Sequence, residues 1–223
     1  MKMIEKNFTS QILKPRTSIY KSSEMELMIF LTPWGEGNSV ELINDEITKF
    51  LFAAQGDIEV TSPFEFNTSL SKVCNSLRMA TLITNDRIYR TENKNDIKTV
   101  YEMLILYKDK NLLSWLQIGS PHVLLMKDNL YPISCKTLAT REKSNEHVPL
   151  PSQFFGAEPH CHFQVGSLPI EKNDKILLLN CELISPNLWS QYSKIDSLDD
   201  IFKNQIKFNS NESFWGSVIE FES

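Results

Sequence analysis

The 223 residues contain no run of basic side chains, no C-x-x-C pair, no repeat and no low-complexity segment, and each absence closes a class of function. Lys and Arg number 23 against 28 Asp and Glu, a formal net charge of −5. Affinity for nucleic acid comes mainly from clustered cations, so no nucleic-acid partner is expected. The four cysteines, Cys74, Cys135, Cys161 and Cys181, are spread through a chain far longer than a disulfide scaffold. They read as reduced thiols of a cytoplasmic protein. No window approaches the ~20 apolar residues of a membrane span. The start, MKMIEKNFTSQILKPR, has charges inside its only apolar stretch and no small-residue cleavage site, so no signal peptide and no membrane association are expected.

What is present is an ordinary globular mixture, 41% hydrophobic and 23% charged, in a chain long enough to bury a sizeable core. The segment from Glu24 to Leu31 (EMELMIFL) is short and apolar and runs into TPWGEGN, which predicts a buried strand and a turn. Beyond it Val40, Ile43, Ile47, Phe50, Leu51 and Ala54 recur at helical spacing, with Asn38 as expected N-cap and Glu41 three residues on. A second helix follows SPFEFN, where Leu70, Val73, Cys74, Leu77, Thr81 and Ile88 keep the period and Asn67 or Thr68 is expected to cap.

From Val100 the period becomes that of strands. VYEMLILYKD, LLSWLQIG, HVLLMKDN and LYPIS predict an antiparallel meander. The polar stretch from Cys135 to Gln153 reads as a surface loop. HCHFQVGSLPI and KILLLNC read as strands, Pro186 to about Asn204 as helical, and FWGSVIEFE as a last strand. Runs of strands and runs of helices, without strict alternation, predict an α+β protein with antiparallel sheets and helices packed on them.

The order and spacing of these segments resemble the type 2C, or PPM, family of metal-dependent serine/threonine protein phosphatases. EMELMIFLTPWGEGNSVELINDEI stands where that family has a strand ending in A-D-G-M-G-G and then a helix. NLLSWLQIGSPHVLLMKDNLYPIS resembles the hairpin whose strand ends in V-G-D-S-R-A-Y. FFGAEPHCHFQVGSLPIEKNDKILLLNCELI resembles the L-G stretch followed by G-D-x-L-L-L-C-S-D-G-L, and NESFWGSVIEF the terminal D-N-I-T-V-I strand. The resemblance spans roughly residues 24–222. It implies one domain over residues 1–223, a four-layer α-β-β-α sandwich of two antiparallel sheets flanked by helices. The length suits a bacterial catalytic domain with nothing appended.

In an active member, aspartates hold two divalent metals that bind and deprotonate the water attacking the phosphate. Residue by residue, that ligand set is not matched. Thr32 and Pro33 stand where the first strand should end in Asp-Gly, although Gly35 is close by. Gly119 and Ser120 replace Gly-Asp, with His122 near the following arginine. Cys181, Glu182 and Leu183 replace Ser-Asp-Gly, and Phe214 and Trp215 replace the terminal Asp-Asn. No acidic residue lies between Glu5 and Glu24, while Arg16 could stand in for the arginine that contacts phosphate. A dinuclear site needs several carboxylates to offset four positive charges, and ligand charge governs affinity.

The resemblance therefore implies a pseudophosphatase without cofactor, a signalling module binding an unidentified protein partner. Trp34 and Trp215 would then stand near the former metal cleft, filling it or presenting an aromatic surface. The alternative is an active phosphatase or other hydrolase holding Mn or Mg in a rebuilt site of Glu36, Glu182, His122, His160 and His162. His160 and His162 share a face if H-C-H lies on a strand, and could bind zinc with Cys181 or another His completing the site. An edge or loop is the plainer reading of H-C-H. Cys161 between two histidines on a strand would point away from both, which disfavours a thiol nucleophile. The GEG of Gly35 to Gly37 reads as a turn more readily than as an anion cradle at a helix start.

Overall fold

The computed structural model describes residues 1–56, 64–135, 153–190, 192, 195 and 197–221. The chain divides into two compact units: Met1–Pro15 with Ser120–Ser152 and Glu171–Ser223, and Arg16–Gly119 with Gln153–Ile170. No helix among the described residues is long and apolar enough to cross a membrane.

The second unit carries β2 (Ser18–Lys21), β3 (Leu27–Gly35), β4 (Thr99–Asp109), β5 (Leu112–Ile118) and β8 (Gln164–Pro169), an antiparallel sheet in the order β2-β3-β4-β5-β8. On it lie α1 (Val40–Gly56) and α2 (Lys72–Ile88), which continues into a π-helical turn, Tyr89–Asn93. Alternate residues of β3 and β4 (Leu27, Ile29, Leu31; Tyr101, Met103, Ile105) meet Ile43, Ile47 and Leu51 of α1 and Leu77, Ala80 and Ile88 of α2. The period-2 and period-3.6 patterns interlock in one core.

The first unit carries β1 (Lys2–Phe8), β6 (His122–Met126), β7 (Leu130–Ser134), β9 (Lys175–Leu179) and β10 (Phe214–Glu220) in the order β1-β10-β9-β6-β7, again all antiparallel. It includes α3 (Pro186–Ser190) and α4 (Leu198–Phe208). Leu124, Leu177 and Leu179 of the sheet close with Leu188, Ile201 and Phe202 of the helices around a separate core.

The α+β class and the two antiparallel sheets with helices agree with the sequence reading, and several details correct it. β3 does not stop at Leu31 but runs to Gly35. β2 pairs only as far as Leu31, so beyond that point β3 has an open side, where Pro33 needs no N–H to donate. The cap of α1 is Ser39, whose carbonyl accepts the first helical bond from Ile43 N (2.9 Å). The cap of α2 is Ser71, whose Oγ accepts from Cys74 N at 3.1 Å, because Asn67 is engaged in its own turn with Ser69 (3.0 Å).

The expected meander breaks at Gly119, where φ is +74° and a Cβ would sit 2.8 Å from Glu102, and its two hairpins belong to different sheets. H-C-H precedes β8, since β5 offers its last pairing to that strand at Gln117↔Gln164. The helical stretch from Pro186 is interrupted by extended backbone at Ser197 (φ −144°), which caps α4 through Oγ and Asp200 N (3.2 Å). The sequence reading did not anticipate β1 or β2. Of the polar stretch from Cys135 to Gln153, read as a surface loop, residues 136–152 lie outside the described residues.

Candidate functional site

Each unit holds a buried polar group built on the positions singled out in the sequence. In the second unit the group lies at the end of β3. Thr32 is buried and shares a hydrogen bond of 2.9 Å with Thr17. Its cross-strand partner is Glu102 of β4, only 1% exposed, whose Oε2 accepts from Trp34 Nε1 at 3.1 Å. Thr32 and Trp34, two apart on a strand, share the face that Glu102 occupies. Gln117, also buried, donates from Nε2 to the Gly119 carbonyl at 2.6 Å beside this group. Trp34 packs edge-on against Phe154, centroids 6.3 Å apart.

Around the GEG turn the backbone donors are engaged. Glu36 N donates to Lys98 O at 3.2 Å, Gly37 N to Thr99 Oγ1, and Ser39 N to the Tyr101 hydroxyl at 2.9 Å. That arrangement belongs to a turn fastened to β4, in keeping with the turn reading. Burial of the Tyr101 ring pushes its hydroxyl pKa upward. Arg16, Glu36, His160 and His162 are exposed, and Cys161 is buried, its thiol pushed up to about 12 by desolvation.

In the first unit Ser120, His122, Asn180, Cys181, Glu182 and Glu212 are all buried. His122 Nε2 lies 3.3 Å from the Glu182 carbonyl, so the tautomer with a proton on Nε2 completes that bond. The segment before β2 is laced to the start of β10: Ile12 N donates to Asn211 O (2.9 Å), Ser213 N to Ile12 O (3.0 Å) and Ser10 N to Ser213 Oγ (2.7 Å). This lacing delivers Lys14 to Glu212. Their ion pair has side chains only 6% and 4% exposed, and Glu212 also accepts from Glu182 N at 2.7 Å and from Asn209 Nδ2 at 3.1 Å.

Phe214 is a core residue. Its ring lies 4.6 Å from Phe202 and 5.6 Å from Phe8, with the unit's own apolar cluster around it. Trp215 is 6% exposed, its Nε1 donating to Glu5 Oε2 at 3.1 Å. Within each unit, no group of three or more His, Cys, Asp or Glu side chains is placed to hold a metal ion among the described residues.

Among the residues of these groups that escaped the sequence reading, three are charged. Glu102 could have been found, because a single carboxylate inside VYEMLILY is a charge in an otherwise apolar strand. Glu212 stands two residues before the last strand, where a terminal acidic residue was sought at Phe214. Lys14 has no local signal, since its partner is 198 positions away.

No family model matches the sequence, and no curated protein does. Solved structures do. PppA, a key regulatory component of the T6SS in Pseudomonas aeruginosa, superposes with a TM-score of 0.66 at 14% identity, covering 98% of this chain and 96% of its own. The Mycobacterium tuberculosis serine/threonine phosphatase PstP/Ppp gives 0.60 at 12% identity, with 100% and 99% covered. The catalytic domain of the phosphatase PstP in complex with 2 manganese ions gives 0.56 at 11%, with 97% and 96% covered. At these identities the likeness is one of fold, and the chain has the fold of the PPM-type serine/threonine phosphatases.

Proposed function

We propose that residues 1–223 are a single type 2C phosphatase-like domain that does not hydrolyse phosphate and acts as a protein-binding or regulatory module. The observation that carries this reading is the state of Glu212. Glu212 stands two residues before the last strand in the sequence, and its oxygens already accept from Lys14, Glu182 N and Asn209. A dinuclear metal centre needs such a carboxylate free of a competing cation and several more beside it. Thr32, Ser120 and Phe214, at positions the resemblance expects to be acidic or polar, add no carboxylate. The donor set does not fit two metals.

Regulation by a protein of this fold has a precedent in PppA, a regulatory component of its secretion system. Four free cysteines suit a reducing, cytoplasmic setting. The decisive experiment combines metal content by mass spectrometry with turnover of p-nitrophenyl phosphate and a phosphopeptide in manganese. The reading expects neither stoichiometric metal nor turnover. Metal-dependent turnover that is lost in Glu182→Ala would overturn it.

One observation favours the second reading, an active hydrolase with a rebuilt metal site. The carboxylate missing at Thr32 is supplied one strand over by Glu102. The same assay decides between the two, with Glu102→Gln as the informative variant.

A further inference from the structure

A buried carboxylate is tolerated when a counter-charge and hydrogen-bond donors surround it. Among the described residues three donors reach Glu212, and of these Lys14 brings the positive charge. The Lys14 ammonium touches a second oxygen as well, the Asn180 carbonyl at the end of β9, 3.4 Å away. A carboxylate and a backbone carbonyl converging on one point are hard oxygen ligands of the kind that Mg, Mn and Ca ions take, the remainder being supplied by water. The lacing of residues 10–12 onto 210–213 fixes the ammonium at that point.

We propose that Lys14 is a tethered cation that closes a hard-oxygen site formed by Glu212 and Asn180, and that removing its ammonium opens this site to a divalent metal ion. The inference rests on the reading of the chain as one that does not hold catalytic metals. It extends that reading by naming the group that keeps them out. The charge balance is direct: the variant loses one positive charge beside Glu212, and a hydrated divalent ion restores and exceeds it.

The test is Mn2+ binding to the full chain by calorimetry, for wild type, Lys14→Ala and Lys14→Ala/Glu212→Gln. Wild type is expected to bind no more tightly than about 1 mM. Lys14→Ala should bind at least tenfold more tightly, and the added Glu212→Gln should remove the gain. A folded Lys14→Ala with wild-type affinity overturns the proposal. Should that variant not fold, wild type decides by NMR: Mn2+ should leave the amide signals of Glu182 and Ser213 sharp, and their paramagnetic broadening overturns the proposal. Metal-dependent turnover by wild type with those signals still sharp would sink the proposed function and leave the Lys14 assignment standing.

Discussion

Glu102 stands directly opposite Thr32 in the pairing of β3 with β4, so a carboxylate sought at the end of one strand is found on its neighbour, holding the Trp34 indole N–H at 3.1 Å. A charge-assisted hydrogen bond to a buried carboxylate contributes about 1.5–3 kcal/mol. Trp34→Phe keeps the ring's apolar area and removes the donor, so it should lower unfolding free energy by roughly that amount. Glu102→Gln keeps an acceptor for the indole and should cost less. Urea unfolding of the two variants checks the order, and a Trp34→Phe protein as stable as wild type would show that this bond contributes nothing.

The ion pair of Lys14 with Glu212 makes a larger claim on stability. Truncating one member of a buried pair strands the other charge and costs about 3–5 kcal/mol. For a chain of this size each kcal/mol lowers Tm by roughly 2–4 °C, so Lys14→Ala in metal-free buffer should melt about 6–20 °C lower. Lys14→Met/Glu212→Leu removes both charges and should recover at least half of the loss, as apolar replacements of buried pairs often do. A double variant no better than the sum of its single changes would mean that the two residues are not coupled.

How much of this was legible in the sequence depends on the range of the interaction. α1, α2 and the strands of the β4 hairpin are written in local periodicity, and their type came through. Their ends did not, because caps are chosen by competition among neighbouring side chains: Asn67 was a sound candidate, but its turn with Ser69 leaves Ser71 to cap. The strand H-C-H could not be judged locally, since a strand needs a partner and β5 ends its pairing at Gln117. The site was legible as a set of substitutions, not as a set of contacts. Thr32 and Ser120 could be read as departures, whereas the pairing of Lys14 with Glu212 exists only once β1 and β10 are side by side.

Asn93 fastens the segment that follows residue 152 to the start of β4. Its Nδ2 donates to Thr99 O (2.8 Å) and Gly156 O (2.7 Å), and its Oδ1 accepts from Lys98 N (2.9 Å) and Thr99 N (3.3 Å). Asn93→Ala removes a partner from the buried backbone groups of Thr99 and Gly156, each worth about 1–3 kcal/mol, and from the part-buried Lys98 N–H. We expect a loss of ~3 kcal/mol or more, with amide exchange accelerated at Lys98 and Thr99 before the rest of β4. Uniform acceleration along β4 would instead mean that Asn93 supports the whole unit and not this junction.

The cysteines give a prediction about pH. Cys135 is exposed, its thiol pushed upward by partial burial, while Cys74, Cys161 and Cys181 are buried. In native protein at pH 8 an aromatic disulfide reagent should therefore titrate one thiol slowly, and four in denaturant. Burial raises the Cys161 pKa from 9.0 to about 12, so between these values the unfolded chain is deprotonated and the folded one is not. The folded state then binds more protons, and stability falls as pH rises. Tyr101 and Tyr107, raised from 10.0 by burial, act in the same direction at higher pH. Cys161→Ala should flatten the decline that begins near pH 9, leaving the tyrosine part above it. An unchanged slope in that variant would place the alkaline loss elsewhere, and a second thiol that reacts in native wild type but not in Cys161→Ala would show that the core around Cys161 opens.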